Sequence, residues 1–116
     1  MKSFLSHPKL AQVIENLKSY NPEKVILYGS WARGEATPES DLDLLVIKKT
    51  KKSYFDRIHE ARKFIYNPEN LDTDSHLYNL DLKVYTPEEI VSEYRLGNFF
   101  IRNILREGKL IYDRRL

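Results

Sequence analysis

Two aspartates, Asp41 and Asp43, stand two residues apart at the start of an apolar run that predicts a strand. Side chains at positions i and i+2 of a strand project from the same face, so both carboxylates point in one direction. Carboxylates held side by side repel each other strongly unless a cation lies between them. Hard oxygen ligands of this kind suit Mg²⁺ or Mn²⁺, and magnesium commonly completes its shell with water and substrate phosphates. The pair therefore predicts a metal site that acts on phosphates.

Two further features extend this site. Gly29-Ser30 directly follows KVILY, an apolar and β-branched run that predicts a buried strand. Glycine lets the backbone approach a ligand closely, and free amides with a serine hydroxyl can hydrogen-bond phosphate oxygens. Asp81 lies on the polar face of LDLKVY, whose strict alternation predicts a third strand. If that strand pairs beside the one that carries Asp43, three carboxylates converge, which is enough to hold two metal ions.

The arrangement of these residues resembles a known signature. Gly29-Ser30, ten intervening residues and then Asp41-Leu42-Asp43 is similar to the motif of the DNA polymerase β-type nucleotidyltransferase superfamily. The wider segment GSWARGEATPESDLDLLV resembles its minimal nucleotidyltransferase branch. The resemblance implies that Gly29 and Ser30 bind the triphosphate and that Asp41 and Asp43 ligate both metal ions. It also implies that Asp81 ligates the acceptor-side metal and helps to deprotonate the attacking hydroxyl.

The same resemblance implies a reaction and a partner. The expected cofactors are two Mg²⁺ ions, with Mn²⁺ as a substitute, and the expected donor is ATP, whose AMP moves to a hydroxyl group. In some members of that branch the acceptor is a tyrosine of a small helical HEPN-type toxin, which makes the transferase an antitoxin. Two alternatives stay open: a non-catalytic nucleotide-binding module that neutralises a partner by covering it, and a transferase for antibiotics or RNA ends.

Other polar residues give weaker signals. Arg33 and Ser40 are candidate nucleotide-binding residues, although Arg33 could equally be a solvated or partner-contacting charge and Ser40 a loop-ordering residue. An Asp-x-Asp pair is also weak evidence by itself, because Asp72 and Asp74 form a second one in a polar stretch without a glycine turn. We predict that this second pair is solvated.

Composition limits the remaining possibilities. The 116 residues are the size of one domain, so we expect a single nucleotidyltransferase domain over 1–116, with its acceptor delivered by another molecule. The net charge of +2 makes nucleic acid an improbable partner by composition. Cysteine is absent, which excludes disulfides and thiolate chemistry, and no apolar run approaches the length of a bilayer span. A reducing cytoplasm is the expected compartment.

The elements that must position the site follow from periodicity and punctuation. Helices are predicted from Pro8 to the Asn21-Pro22 break, over 31–35, from a Ser53 cap to 65, and on either side of Gly97. In the 53–65 helix, Phe55, Ile58, Arg62 and Ile65 are predicted to share one face, with Ala61 beside them. Strands are predicted over 24–28, 42–48, 80–85 and 109–112, with a loop over 67–79. The predicted fold is α+β, a small mixed sheet packed with helices. The apolar final helix also suggests a partner or homo-oligomer surface.

Overall fold

A computed structural model describes residues 7, 9–66 and 80–116 of the chain. The described part contains helices and strands in the order α1 (Leu10–Lys18), β1 (Lys24–Tyr28), α2 (Ser30–Arg33), β2 (Leu42–Ile47), α3 (Tyr54–Ile65), β3 (Leu80–Tyr85), α4 (Pro87–Arg95), α5 (Phe99–Glu107) and β4 (Lys109–Asp113). The predicted α+β class is therefore confirmed. The predicted loop over 67–79, with Asp72 and Asp74, lies outside the described residues.

The four strands form one mixed sheet in the order β3-β2-β1-β4. β1 runs antiparallel to both β2 and β4, whereas β2 and β3 run parallel. The register places Tyr28 of β1 opposite Asp43 of β2, and Asp43 opposite Asp81 of β3. Because directly opposed residues share a face of the sheet, these three side chains form one row across it.

The alternation of each strand divides the apolar side chains between the two faces of the sheet. One face is covered by α1 and α3, and its buried residues include Leu10, Val13, Leu17, Val25, Leu27, Leu44, Val46, Ala61, Ile65, Leu82 and Val84. The other face is covered by α4 and α5, and its buried residues are Ile26, Leu45, Ile47, Ile90, Ile101 and Ile104. The row of Tyr28, Asp43 and Asp81 lies on this second face, where the helix cover ends.

Local signals explain where the helices begin. The Ser53 hydroxyl accepts a hydrogen bond from the Asp56 amide, and the Asn98 side chain does the same for the Ile101 amide. The capping box at α4 is complete, because Thr86 accepts from the Glu89 amide while the Glu89 carboxylate accepts from the Thr86 amide. These polar contacts fix the directions in which α3, α4 and α5 cross the sheet.

An ion pair between a buried arginine and a half-exposed glutamate joins α3 to α4. The Arg57 guanidinium donates to both carboxylate oxygens of Glu89, at 2.7 and 3.2 Å, and to the carbonyl of Lys52 at 2.8 Å. The Arg57 side chain is only 9% exposed. Hydrogen bonding to Arg57 is the main cause that lowers the pKa of Glu89. This contact holds α4 against the edge strand β3.

The predicted apolar face of α3 is partly wrong. Ala61 and Ile65 are buried, in line with the prediction, but Phe55 is 80% exposed, and the third buried position is Arg57, so the buried residues are spaced four apart. The period is helical as predicted, but a paired arginine takes the core position nearest the start of the helix. No helix in the described ranges is long and apolar enough to cross a bilayer.

Candidate active site

Gly29 occupies a turn that only glycine can form easily. It follows β1 and precedes α2 with φ 75° and ψ −158°, a conformation that is essentially restricted to glycine. A Cβ atom at this position would overlap Oδ2 of Asp43 and lie 3.0 Å from its Cγ atom. The sequence predicts that glycine allows a ligand to approach the backbone here. The structure shows a second reason for glycine at this position, because the carboxylate of Asp43 packs against the Cα of Gly29 and leaves no room for a Cβ atom.

Asp43 and Asp81 are brought together by the register of β2 and β3. The pKa of Asp43 is raised to about 6, first by burial and then by the negative charges of Asp81 and Asp41. Lys83 acts in the opposite direction. Asp41 precedes the first residue of β2 and is exposed to solvent. The site is therefore a carboxylate pair with a third carboxylate at its outer side.

Lys83 is a member of this site that the sequence prediction did not include. Its ammonium donates to both carboxylate oxygens of Asp81, each at 3.1 Å, and its side chain is 24% exposed. The Lys83 Nζ atom also lies 5.3 Å from the centre of the Phe100 ring. The signal was present in the sequence, because a lysine two residues after an aspartate on a strand must share its face.

Tyr28 and Phe100 close one side of the site. Their rings meet edge to face, with centroids 5.7 Å apart. The Tyr28 hydroxyl is buried and has no hydrogen-bond partner within the described residues. Burial first, and then the charges of Asp81 and Asp43, raise the pKa of Tyr28. This hydroxyl is thus an available donor that faces the carboxylate row.

A cleft of about 140 Å³ opens beside Gly29, between the end of β1 and α5. Its walls include the Gly29 backbone and the side chains of Tyr28, Arg33, Phe100 and Asn103. A larger groove of about 530 Å³ runs along β4 and the residues that follow it, and it contains none of the candidate site residues. The small cleft adjoins the candidate site through Tyr28 and the Gly29 turn, and Asp41, Asp43 and Asp81 lie outside its walls.

The structure gives different positions to the remaining predicted residues. Ser30 begins α2, and its carbonyl accepts from the amides of Gly34 and Glu35. Arg33 lines the cleft and pairs with Glu35 at 3.2 Å in an exposed contact. The Ser40 hydroxyl accepts from the Thr37 amide at 2.8 Å, so Ser40 orders its loop. The nucleotide-binding roles of Ser30, Arg33 and Ser40 stay predictions.

The donor atoms at this site fit a divalent metal ion. Carboxylates are the ligands that Mg²⁺ and Mn²⁺ prefer, and Asp43 and Asp81 are directly opposed across β2 and β3, where a cation could lie between them. Within residues 7, 9–66 and 80–116, no group of three or more acidic, histidine or cysteine side chains is already arranged around one metal position. The structure thus brings two of the three predicted ligands together and leaves Asp41 at the rim.

The comparisons with known proteins agree with this geometry. The family model described as "Polymerase beta, Nucleotidyltransferase" matches residues 11–115 of the chain. The chain belongs to this nucleotidyltransferase family. The match covers every strand of the sheet and all of the candidate site, so the predicted resemblance and the predicted enzyme class are both confirmed.

Two relatives from Methanocaldococcus jannaschii are each named "Putative protein adenylyltransferase". One is 29% identical over 90 residues, which are 78% of this chain and 78% of the relative. The other is 36% identical over 95 residues, which are 78% of this chain but only 58% of that longer relative. These names describe the relatives, and the family itself rests on the match over residues 11–115.

A solved structure from Sulfolobus solfataricus, titled as a putative nucleotidyltransferase, has the same fold. It superposes on this nucleotidyltransferase with a TM-score of 0.60, covering 99% of this chain and 91% of that one at 24% identity. At this identity the likeness shows the fold alone. It supports the mixed sheet with helices on both faces, which the sequence predicts.

Proposed function

We propose that this nucleotidyltransferase transfers AMP from magnesium-bound ATP to a hydroxyl group on a protein partner. The observation that carries the proposal is the cross-strand row that places Asp43 between Gly29 and Asp81. The names of the two relatives, protein adenylyltransferases, support AMP as the transferred group and protein as the acceptor. Arg33 and the Gly29 turn line the adjoining cleft, where they can contact phosphate.

Each residue of the site has a distinct part in this reaction. The Gly29-Ser30 turn holds the triphosphate through backbone amides and the serine hydroxyl. Asp41 and Asp43 hold the magnesium ions, which supply charge neutralisation at the phosphates when bound. Asp81 accepts the proton of the acceptor hydroxyl. The hydroxyl oxygen then forms a bond to the α-phosphorus while the bond to pyrophosphate breaks, so the products are AMP-acceptor and pyrophosphate.

The surface beside the site supports a protein acceptor. Leu96 and Phe99 are 78% and 75% exposed, and Val91 is 49% exposed; they lie on α4, on α5 or on the turn between these two helices, which cover the face of the sheet that carries the carboxylate row. Apolar side chains in this position are typical of a surface that another protein covers. A small helical HEPN-type protein in the cytoplasm, which this chain would restrain as an antitoxin, is the partner that we propose; a second copy of the chain is the other occupant to test.

One observation favours a second candidate function. Asp81 is held by Lys83 through both of its oxygens, so the proposed base is engaged in an ion pair. A module that binds nucleotide and partner without transferring AMP would retain such a contact. This alternative predicts partner binding that does not depend on Asp43 or on metal.

The experiment that separates the two functions uses ATP labelled at the α-phosphate. The chain, Mg²⁺ and a candidate small helical partner protein are incubated together, and label on the partner is measured by gel and mass spectrometry. We expect label on a hydroxyl side chain of the partner, and none with Asp43→Asn or with excess chelator. Stable binding of the partner without label would favour the non-catalytic module.

A further inference from the structure

The ammonium of Lys83 contacts the two carboxylate oxygens of Asp81, which are the atoms that a divalent cation bound to Asp81 would need as ligands. Its Nζ atom is 3.1 Å from both Oδ1 and Oδ2 of Asp81. The same lysine shares the face of the sheet with Asp43, and its charge lowers the pKa of Asp43 against the effect of the neighbouring carboxylates. Lys83 therefore neutralises part of the negative charge of Asp43 and Asp81, which a bound metal ion would also neutralise.

A second contact gives this ammonium another favourable position. Lys83 Nζ lies 5.3 Å from the centre of the Phe100 ring, within the range of a cation–π interaction. Phe100 is 40% exposed and borders the cleft beside Gly29. A small rotation of the lysine side chain would keep its charge against the ring while it releases one or both oxygens of Asp81.

We propose that Lys83 is a positioning residue that competes with a divalent cation for Asp81. In the metal-free protein the ammonium neutralises Asp81 and holds its carboxylate in place. A cation gains the oxygens of Asp81 only when the ammonium moves toward Phe100. Lys83 thus raises the metal concentration at which the acceptor side of the site fills. This inference rests on the proposed function in one respect, namely that a divalent cation is the ligand.

The test measures Mn²⁺ binding to the full chain without nucleotide or acceptor, by calorimetry and by electron paramagnetic resonance. Lys83→Met removes the charge and keeps the length of the side chain, whereas Lys83→Arg keeps the charge. Lys109→Met is the matched control, because it removes one lysine charge from an exposed position on the edge strand. We expect Lys83→Met to bind Mn²⁺ about tenfold more tightly than the parent, because the competing charge is gone. Lys83→Arg and Lys109→Met should stay within about twofold.

Three results would overturn the proposal. The first is that Lys83→Met binds Mn²⁺ no more tightly than the parent, and the second is that this variant does not bind Mn²⁺ at all. The third is that Lys109→Met gains as much Mn²⁺ affinity as Lys83→Met, which would indicate a general charge effect. If Lys83→Met does not fold, Lys83→Gln takes its place. If Mn²⁺ restores the folded circular dichroism spectrum of Lys83→Gln, the result supports competition between the ammonium and the cation for Asp81. If Lys83→Gln does not fold even with Mn²⁺, the proposal is overturned. The Mn²⁺-binding test contains no ATP and is therefore independent of AMP transfer. If the parent chain transfers no AMP in the separate labelling assay, that result contradicts the proposed function and does not change the outcome of the Mn²⁺-binding test.

Discussion

Replacing Gly29 by alanine should disturb the site through a contact that the structure defines. The backbone at Gly29 adopts φ 75° and ψ −158°, which costs other residues about 1–3 kcal/mol. The added Cβ would also overlap the carboxylate of Asp43, lying 3.0 Å from its Cγ atom, and such overpacking costs about 1–3 kcal/mol. We therefore expect Gly29→Ala to lower the free energy of unfolding by about 2–6 kcal/mol, the sum of these two contributions.

A matched control separates the contributions. Gly34 also has a positive φ, 73°, but a Cβ there meets nothing within 4 Å, so Gly34→Ala should cost only about 1 kcal/mol. In the background Asp43→Ala the overlap is absent, and Gly29→Ala should cost about 1–2 kcal/mol less than in the parent. Urea unfolding in excess chelator, followed by circular dichroism, measures all four variants. The reasoning is refuted if Gly29→Ala costs no more than Gly34→Ala, or if the effects at Gly29 and Asp43 simply add.

Three further predictions concern the charged groups. The pKa of Asp43 is raised to about 6 in the folded protein. Protonated Asp43 therefore contributes to stability fully below about pH 4, and this contribution is lost as the pH rises through 6. Metal-free Asp43→Asn should therefore gain about 1–2 kcal/mol over the parent between pH 4 and pH 8, after allowance for solvent screening; a constant difference in urea unfolding would contradict this. Asp81→Asn should keep ATP binding by calorimetry and lose AMP transfer, and transfer near the parent rate would place the third carboxylate elsewhere. Arg57→Met should cost about 1–3 kcal/mol in urea unfolding, because the half-exposed Glu89 carboxylate and the Lys52 carbonyl lose the buried arginine that donates to them, while exposed Arg106→Met should stay within about 0.5 kcal/mol; equal costs would contradict the role of Arg57.

Most of the fold could be predicted because its signals are local. Alternation in LDLKVY placed Asp81 on the polar face of β3, and Thr86-Pro87 with Glu89 marked the start of α4. The sheet order could not be predicted in the same way, because it depends on pairings between distant segments. The prediction of converging carboxylates was therefore conditional, and the parallel register of β2 and β3 satisfied it for Asp43 and Asp81.

Residues that act through tertiary contacts were missed for the same reason. Arg57 has no apolar character, so periodicity assigned the buried face of α3 to Phe55, and only the partner on α4 explains why an arginine is buried there. Phe100 belongs to the final helix, which was predicted only as apolar, and its place beside Lys83 and Tyr28 depends on how α5 crosses the sheet. Sequence spacing thus predicts the candidate ligands of the site but not the groups that cover them.

The central claim is that Asp41 and Asp43 carry AMP transfer, and the rate of that transfer tests it most directly. With α-labelled ATP, Mg²⁺ and the acceptor, Asp41→Asn and Asp43→Asn should each lose transfer on the order of a hundredfold or more, because misplaced metal ions no longer stabilise the charge that develops at the phosphates. Asp72→Asn is the control and should keep the parent rate. Circular dichroism must show that each variant is folded. Folded Asp41→Asn and Asp43→Asn variants that transfer AMP at the parent rate would contradict the account.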